Sequence, residues 1–385
     1  MRAIVTGMIA TYPVGGVAWD YAQYALALER LGWEVFYLED TGSETYDPRV
    51  GQYGADCSFG VSFLQQSLES LSPTLGSRWH FRAMDGSRYG ITGERLTEIF
   101  ADADLLLNVS GGTLLRDEYM HCPHKVLIDS DPGWNHFVNY PNWDAKPGWQ
   151  QTHGYRAHDH FFTYAACLGQ PQCMLPDMGI PWHPTQPPVV LDLWRFRPPA
   201  QNWTTVMTWN NFRKPVVYRG QRFGTKEMEF PKVERLPAYV DASLELAVGG
   251  GDAPVEHWRQ LGWQVTDSHD VSRTMHDYRG YIERSRGEFS VTKNLYAATH
   301  SGWFSCRTVC YLAAGKPAVV QETGFSEHVP TGEGLFAFEN VEQAADAIAT
   351  VEGDYRRHSD AAREIASTYF NSDDVLRDVL SRIGL

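Results

Sequence analysis

The sequence predicts an α/β protein of two domains, each with a parallel sheet covered by helices on both faces. Short runs rich in Val, Ile and Leu alternate with longer stretches of helical periodicity, which is typical of βαβ units. The chain has 385 residues, about two and a half times a typical domain length. A proline-rich stretch divides it near the middle, so each half has room for its own sheet.

The first half begins with a strand, a loop and a helix. Residues 2–10 form an apolar run, the turn-forming segment Thr-Tyr-Pro-Val-Gly-Gly follows, and Val17 to Leu31 has helical periodicity. Gly32 ends this helix, and Glu34 to Glu39 supplies the second strand of a right-handed βαβ unit. Further strands are predicted at Leu105 to Val109, Val126 to Ile128 and Phe161 to Tyr164.

The second half begins after residues 174–202, where seven prolines and little periodicity mark a domain boundary. Residues 341–385 have the pattern of helices rich in Ala, Asp, Arg and Ile. The predicted domains are residues 1–190 and 200–370, followed by a terminal helix over 371–385. Strands are predicted in the second domain at Thr204 to Trp209, Leu244 to Val248, Gln264 to Thr266, Glu288 to Val291 and Ala318 to Gln321.

Composition and charge exclude several classes of protein. With 43% hydrophobic and 21% charged residues the chain can bury a core, which excludes intrinsic disorder. A net charge of -14 without any block of Lys or Arg argues against binding a nucleic-acid polymer. We expect a cytoplasmic protein without an integral membrane segment, because no signal-peptide pattern and no long apolar run occurs. Six scattered cysteines without a CxxC pair predict reduced thiols.

The loops after the second-half strands include two candidate phosphate sites, because open α/β sheets bind ligands beyond the carboxyl ends of their strands. Gly249 to Gly251 follow a strand and precede a helix, although loop flexibility explains these glycines nearly as well. Ser305 is placed to cap the helical run that begins near Thr308. Arg307 adds a charge that can fork onto phosphate oxygens, with a structural salt bridge as the alternative.

A glycine pair in the first half is a candidate for the acceptor side of a cleft. Gly15 and Gly16 precede the first helix, so their N–H groups can approach an anion or a hydroxylated ligand, and a tight turn explains them equally well. The chain contains neither GxGxxG nor GxxxxGK[ST], which argues against a standard dinucleotide fingerprint and against a P-loop.

Five segments of the second half occur in a recognisable order. They are Leu244 to Trp258 (LELAVGGGDAPVEHW), the helix Asp277 to Ser285, the strand Glu288 to Val291, Val309 to Gly324 (VCYLAAGKPAVVQETG) and Gly332 to Phe336 (GEGLF). This order resembles the C-terminal domain of GT-B glycosyltransferases, especially their retaining, family-4-like members, over about residues 205–370. The resemblance implies a nucleotide diphosphate sugar held by this domain, an acceptor held by the first, and a terminal helix that crosses back.

One departure from the family pattern concerns two glutamates, separated by seven residues, that contact the donor sugar and the ribose in many retaining members. Alignment on Leu312-Ala-Ala-Gly315 places them at Gly302 and Cys310, neither of which is acidic. Glu288 or Glu322, both expected at strand ends facing the cleft, would then hydrogen-bond the donor hydroxyls. The departure leaves the donor and the stereochemical outcome open.

Further polar and aromatic residues follow strands of the first half. Asp131 and His136 can touch the acceptor, with turn formation by Asp-Pro-Gly as the alternative. The histidines at 153, 158 and 160 suggest a metal, but their spacing does not place three ligands on one side, so no metal is expected. Four tryptophans can stack on an acceptor or pack in the core, namely Trp134, Trp143, Trp149 and Trp182.

The sequence therefore predicts a metal-independent, hexosyltransferase-like glycosyltransferase. A nucleotide diphosphate sugar such as a UDP sugar is its co-substrate, a small molecule or glycan is its acceptor, and no cofactor is expected. Arg307 and Lys293 would carry the charge of the leaving diphosphate. The predicted donor contacts are Asn210, Asn211, Gly249, Gly250, Lys293, Ser305, Cys306, Arg307, Thr308 and Glu322.

The predicted catalytic residues are Asp20, Glu288 and Arg307. An inverting reaction needs a base to deprotonate the acceptor, and Asp20 is the candidate. The alternative is an acidic residue that only stabilises a helix start, and a retaining reaction needs no such base. Two rival functions remain at this stage: a nucleotide-sugar epimerase on the same fold, and a non-catalytic nucleotide- or sugar-binding protein.

Overall fold

The structure is a computed structural model that describes residues 1–146, 148, 153–210 and 215–385. Within these residues the strands form two large sheets, one from each half of the chain, and two small hairpins. The predicted α/β class with two helix-covered parallel sheets is confirmed. In the same parts of the chain, no helix combines the length and the apolar character needed to cross a membrane.

The first sheet has eight strands in the order β10-β9-β8-β7-β1-β2-β5-β6. The strands of this half are β1 Arg2–Thr6, β2 Glu34–Glu39, β3 Thr45–Asp47, β4 Gln52–Gly54, β5 Trp79–Arg82, β6 Arg88–Gly90, β7 Leu105–Val109, β8 His124–Asp129, β9 His160–Thr163 and β10 His183–Pro184. Neighbours pair in parallel except β5 with β6, and β3 pairs with β4 in a separate hairpin.

Helices cover both faces of the first sheet, which is why its central strands are buried along almost their whole length. All five residues of β7 are buried, and β8 is buried from Lys125 to Asp129. The helices of this half are α1 Gly15–Arg30, α2 Ser58–Leu71, α3 Pro73–Ser77, α4 Gly93–Ala101 and α5 Tyr140–Asp144.

The second sheet has six parallel strands in the order β15-β14-β11-β16-β17-β18. The strands of this half are β11 Asn202–Thr208, β12 Val216–Tyr218, β13 Gln221–Phe223, β14 Ser243–Gly249, β15 Gln264–Asp267, β16 Gly287–Ser290, β17 Ala318–Gln321 and β18 Leu335–Phe338, with β12 and β13 forming a hairpin. Its helices are α6 Val255–Gln260, α7 Ser268–Val271, α8 Met275–Arg284, α9 Asn294–Ala297, α10 Cys306–Ala313, α11 Val341–Gly353, α12 Tyr355–Tyr369 and α13 Ser372–Ile383.

The two halves pack against each other around α1. Buried Trp19 of this helix donates its indole N–H to the carbonyl of Met275 at 2.8 Å, at the start of α8. The last helix, α13, also contacts α1, and Leu376 belongs to the same buried cluster as Trp19. The Val189 N–H donates a hydrogen bond to the Phe370 carbonyl at 2.7 Å, which connects the end of the chain to the segment that follows β10.

Gly15 and Gly16 lie at this contact between the halves. The Gly15 N–H donates to the Ser272 carbonyl at 2.7 Å, and the Gly16 N–H donates to the Ser272 hydroxyl at 3.2 Å. A Cβ on Gly15 would lie 2.2 Å from the Thr274 carbonyl oxygen, so no larger residue fits without a shift. The close approach of two backbones explains the glycine, and both N–H groups are already used by the protein.

Candidate active site

Two adjoining cavities lie in the cleft between the sheets. The larger has a volume of about 700 Å³ and the smaller about 120 Å³, and they share Lys293, Tyr296 and Trp303. The larger cavity lies beyond β1 and β7, and the smaller lies beyond β16 and β17. In the first sheet the strand order reverses between β1 and β7, so the larger cavity is at a topological switch point, where open α/β folds bind ligands.

The smaller cavity opens at the amino terminus of α10. Ser305 precedes this helix, and its hydroxyl accepts the Arg307 N–H at 3.2 Å, which confirms the predicted cap. Ser305, Arg307 and Thr308 line the cavity together with Lys226 and Lys293. A helix terminus and three basic side chains around so small a space suit phosphate groups.

Arg307 is held rigidly at the wall of this cavity. Its Nε donates to Glu288 Oε1 at 2.6 Å and its Nη1 donates to the Val206 carbonyl at 3.0 Å. Arginine has five N–H donors, so this anchoring leaves donors for a ligand in the cavity. The salt bridge and a phosphate contact, which were alternatives from the sequence, are therefore compatible in this geometry.

Glu288 does not occupy the place expected from the sequence. It lies at the amino end of β16, opposite Thr204 of β11, and is fully buried. Its side chain lines neither cavity, so the expectation that it faces the cleft is wrong. The ion pair explains its position, because a buried guanidinium requires a counter-charge. The second carboxylate oxygen, Oε2, has no hydrogen-bond partner in the structure.

Lys226 is a site residue that the sequence interpretation missed. It follows the hairpin β12–β13, lines the smaller cavity, and donates to the Thr208 carbonyl at 3.3 Å. Burial, together with the nearby charges of Arg307 and Lys293, lowers the pKa of its ammonium to about 7. No local motif marks this lysine, because its role depends on cations more than 60 residues further along the chain.

A buried carboxylate network holds the loop that carries Lys293. Glu229 is buried and accepts a hydrogen bond from the Asn294 amide at 2.6 Å and another from the Gln321 amide. Gln321 in turn accepts the backbone N–H of Thr292 at 3.1 Å. Both neighbours of Lys293 are thereby fixed to one buried group, which positions the lysine at the junction of the two cavities.

Lys293 also joins the two halves across the cleft. Its Nζ donates to Asp131 Oδ2 at 2.8 Å and to the Tyr296 hydroxyl at 3.1 Å, and that hydroxyl donates to the other oxygen of Asp131. Asp131 lines the larger cavity, as predicted for the acceptor side, although its contact with an acceptor stays a prediction. The pair brings together residues that are 162 positions apart in the chain.

Asp20 lines the larger cavity from the second turn of α1, which begins at Gly15, two residues before the predicted start at Val17. Burial raises the pKa of its carboxyl to about 6, against the smaller, lowering effect of the neighbouring Cys306 thiol. Cys306, the first residue of α10, lines the same cavity from the opposite half. A carboxylate with this pKa is partly protonated near neutrality, which suits a group that accepts and returns a proton.

Aromatic side chains dominate the rest of the larger cavity. Two of the tryptophans considered from the sequence, Trp134 and Trp143, line it, whereas Trp182 stacks on Tyr140 and Trp149 lies outside the described residues. Flat rings favour ligands with hydrophobic faces, including sugar rings. The other tyrosine and tryptophan rings of the lining belong to Tyr12, Tyr21, Tyr53, Tyr140, Tyr155, Tyr164, Tyr296 and Trp303.

Several predicted site residues line neither cavity. His136 is fully buried between Asp129, at 2.9 Å from Nε2, and the Pro176 carbonyl, at 2.7 Å from Nδ1, so both ring nitrogens are used inside the protein. The Glu322 side chain folds back to accept the N–H groups of its own loop. Gly15 and Gly16 make the packing contacts described above.

The predicted nucleotide loop lies at the same edge of the second sheet but outside both cavities. The backbone N–H of Trp209 donates to the Gly249 carbonyl at 2.8 Å, which brings Asn210 beside Gly250. Gly250 has a φ of 89°, a left-handed conformation that favours glycine, and both it and Asn210 are exposed. Asn211 lies outside the described residues, so the contacts predicted for this loop stay predictions.

The three histidines considered for a metal have separate partners. His153 contacts Asp117 at 2.7 Å, His158 contacts the Tyr155 carbonyl at 2.8 Å, and His160 contacts His124 at 3.4 Å. None of them belongs to a group of three possible ligands within the described parts of the chain.

Comparison with solved structures places this architecture among GT-B proteins. HepE of Anabaena, in complex with UDP and glucose, matches with a TM-score of 0.57 at 13% identity, covering 100% of both chains. A glycosyltransferase of avilamycin A biosynthesis gives 0.52 at 13% identity and covers 99% of this chain and 97% of its own. A glycosyltransferase from Rickettsia africae gives 0.52 at 14% identity and covers 99% and 96%.

These likenesses show the fold. The chain has two Rossmann-like domains facing a central cleft, the GT-B fold that the sequence resemblance implied. Comparison with protein-family models and with curated proteins gave no match. The closer resemblance of the second domain to retaining, family-4-like members stays a prediction.

Proposed function

We propose that this protein is a glycosyltransferase that moves a sugar from a nucleotide diphosphate donor to an acceptor held by the first domain. The observation that carries the proposal is the meeting of two unlike cavities in one GT-B cleft. One is small, cationic and placed at a helix terminus, and the other is large, aromatic and acidic. A diphosphate leaving group and an acceptor hydroxyl require these two environments side by side.

In this mechanism the second domain stabilises the departing charge. The N–H groups at the start of α10, together with Arg307, Lys226 and Lys293, surround the position proposed for the diphosphate. Charge stabilisation by fixed donors in a partly desolvated pocket replaces the role that a divalent cation has in other transferases, so we propose a metal-independent reaction. UDP is the nucleotide to test first, because HepE was solved with UDP and glucose.

Asp20 is the residue proposed to activate the acceptor. It lines the larger cavity beside Cys306, the first residue of α10, whose amino terminus is the proposed diphosphate position. A base at this place abstracts the acceptor proton in an inverting reaction. If the reaction is retaining, the donor phosphate takes the proton and Asp20 only orients the acceptor.

Calorimetry with UDP and UDP sugars tests the donor site. Arg307→Ala alone would leave Glu288 buried without a counter-charge, which is strongly destabilising, so the informative variant is Arg307→Ala combined with Glu288→Gln. The control is Glu288→Gln alone, which keeps the guanidinium but removes its counter-charge, so its folding is checked by denaturant unfolding. We expect UDP to bind this control at least as tightly as it binds the parent, and the double variant about ten- to a hundredfold more weakly than the parent.

Turnover then separates the transferase from its rivals. Free UDP that forms only when an acceptor is present supports a transferase, whereas UDP sugar interconversion without acceptor supports an epimerase. Equal affinity of the double variant and its control would remove Arg307 from the donor site. Absence of nucleotide binding to the parent would overturn the proposed function, and donor binding that persists in a chelator supports the metal-independent form.

A further inference from the structure

We propose that Cys167, His300, Glu327 and His328 form a zinc site that links the two domains outside both cavities of the cleft. The proposal goes beyond the proposed function and does not rest on it. None of the four side chains lines either cavity of the cleft. Cys167 follows β9 of the first domain, and the other three follow α9 and β17 of the second.

The ligand atoms already lie close together. Among the described residues, Cys167, His300 and Glu327 are the group of three whose sulfur, nitrogen and oxygen atoms all lie within 4.8 Å of one another. His300 Nε2 contacts Glu327 Oε1 at 2.7 Å, and Cys167 Sγ lies 3.6 Å from His328 Nε2. Zinc bonds of about 2.3 Å to sulfur and about 2.0 to 2.1 Å to nitrogen place neighbouring tetrahedral ligands about 3.5 Å apart.

The backbone around the ligands leaves room between them. A Cβ built on Gly324 would lie 2.8 Å from Cys167 Sγ and 2.9 Å from His300 Nε2. The absence of a side chain at Gly324 therefore keeps open the space between the sulfur and the imidazole. Gly324 also has a φ of 96°, so its conformation independently favours glycine.

The segments that carry the ligands are tied together by the backbone. The Cys167 N–H donates to the Ser301 carbonyl at 3.1 Å, and the Gly302 N–H donates to the Thr323 carbonyl at 2.6 Å. His300 itself has a φ of 49°, a left-handed conformation uncommon for a residue with a side chain. These contacts hold the three segments in one place before any ion binds, which lowers the conformational cost of binding.

The chemistry of the group selects the ion. One thiolate, two imidazoles and one carboxylate are the ligand types of zinc sites, whereas calcium and magnesium prefer oxygen ligands throughout. Cys167 is buried, and Glu327 is about 41% exposed at the side chain, so an ion can enter from the solvent side. Binding releases the thiol proton to solvent and leaves a thiolate on the ion.

The test uses the untagged full chain, freed of metal by a chelator and then titrated with Co²⁺ or Zn²⁺ alone. We expect one Co²⁺ per chain, a sulfur-to-cobalt charge-transfer band in the near ultraviolet, and the strong visible bands of four-coordinate cobalt. Cys167→Ser should abolish the charge-transfer band, while Cys173→Ser, a matched change at a nearby cysteine outside the group, should leave it unchanged.

Surface variants keep the proposal testable if Cys167→Ser fails to fold. Glu327→Gln and His328→Gln alter exposed residues. Each should lower the affinity for zinc by at least about 10- to 100-fold, which is the loss usual for a residue that only supports a zinc ligand. His257→Gln, at another exposed histidine that pairs with a glutamate, should not. Cobalt binding without a charge-transfer band, or zinc affinity that these variants do not change, would overturn the site.

Discussion

The two cavities of the cleft differ in charge, in the elements that build them and in how much of each the sequence indicated. The larger cavity, beyond the strands of the first domain, is lined by many aromatic rings and by the carboxylates of Asp20 and Asp131. The smaller cavity, beyond the strands of the second domain, is lined by Lys226, Lys293 and Arg307 at a helix terminus. The cleft is therefore electrostatically polarised across a few side chains, with Asp20 and Asp131 on one side and Lys226 and Arg307 on the other.

Placing charged groups in the cleft shifts their pKa values, in opposite directions on the two sides. Asp20 is half-buried beside the Cys306 thiol, and burial raises the pKa of its carboxyl to about 6. Lys226 is buried among other cations, so its pKa falls to about 7. In the free protein both groups therefore have pKa values near neutral pH. When substrates bind, a diphosphate would supply an opposite charge for Lys226 and an acceptor hydroxyl would supply a hydrogen-bond donor for Asp20.

The largest expected effect is on turnover in Asp20→Asn. If Asp20 is the base, the change should lower the rate about 10²- to 10⁴-fold while UDP affinity stays the same, as measured by steady-state kinetics and calorimetry. Glu29→Gln, the same change on the same helix but outside both cavities, is the control. Near-normal turnover, or a product that keeps the anomeric configuration of the donor, would remove Asp20 as a base.

The pH profile gives an independent measure of Asp20. Its carboxyl becomes a base as it loses a proton, so the parent rate should rise with pH through about 6 and then level off. Because the folded pKa is raised, the carboxyl destabilises the fold increasingly between about pH 4 and 6. Asp20→Asn should therefore be more stable at pH 7, by at most about 3 kcal/mol in denaturant unfolding.

The next largest effect concerns Lys226 and the diphosphate. Because its ammonium loses charge above about pH 7, UDP affinity of the parent should fall between pH 6 and 9, and binding at pH 8 should take up protons. The Lys226→Met variant should lose this proton uptake and should bind UDP about ten- to a hundredfold more weakly than the parent at pH 6. Calorimetry in buffers of different ionisation enthalpy measures both.

Arg259→Ala is the control for Lys226, since it removes an exposed cation of the same domain that lines neither cavity. An unchanged pH dependence in Lys226→Met would mean that another group controls the charge of the second cavity.

A third prediction sharpens the contrast between packing and binding in the first domain. Gly15→Ala places a methyl group against the Thr274 carbonyl and should destabilise the protein by about 1 to 3 kcal/mol. Gly16→Ala meets only the edge of the Tyr278 ring at 3.0 Å and should cost less. Denaturant unfolding measures both. A Gly15→Ala variant with parental stability but impaired acceptor use would restore the acceptor role first predicted for this glycine.

The smallest effect is expected where the two cavities meet. Asp131→Asn removes the charge that pairs with Lys293, and a partly exposed pair of this kind contributes about 1 kcal/mol or less. Since Lys293 is then free to face the diphosphate, UDP should bind up to a few-fold more tightly. A loss of affinity greater than tenfold would show instead that Asp131 holds Lys293 in its working position.

Local periodicity was sufficient to predict the class of the fold and most central strands. The prediction at Leu105 to Val109 matches β7 at both ends, and the strand predicted at Glu34 to Glu39 is β2. Central parallel strands are apolar along their length, so sequence alone identifies them. The short edge strands β6 and β10 and the two hairpins carry no such signal, and their formation depends on neighbours.

The helix start at Ser305 is also predictable from sequence, because an N-cap involves only residues that are adjacent in the chain. Tertiary structure alone decided that Lys226 joins Arg307, that Glu288 is a buried counter-charge, and that Gly15 is a point of contact between domains. These facts depend on residues far apart in the chain, whose distances are set by how the two sheets and α1 pack. A sequence reports the periodicity of each element directly, whereas a site in a cleft exists only after the elements have packed.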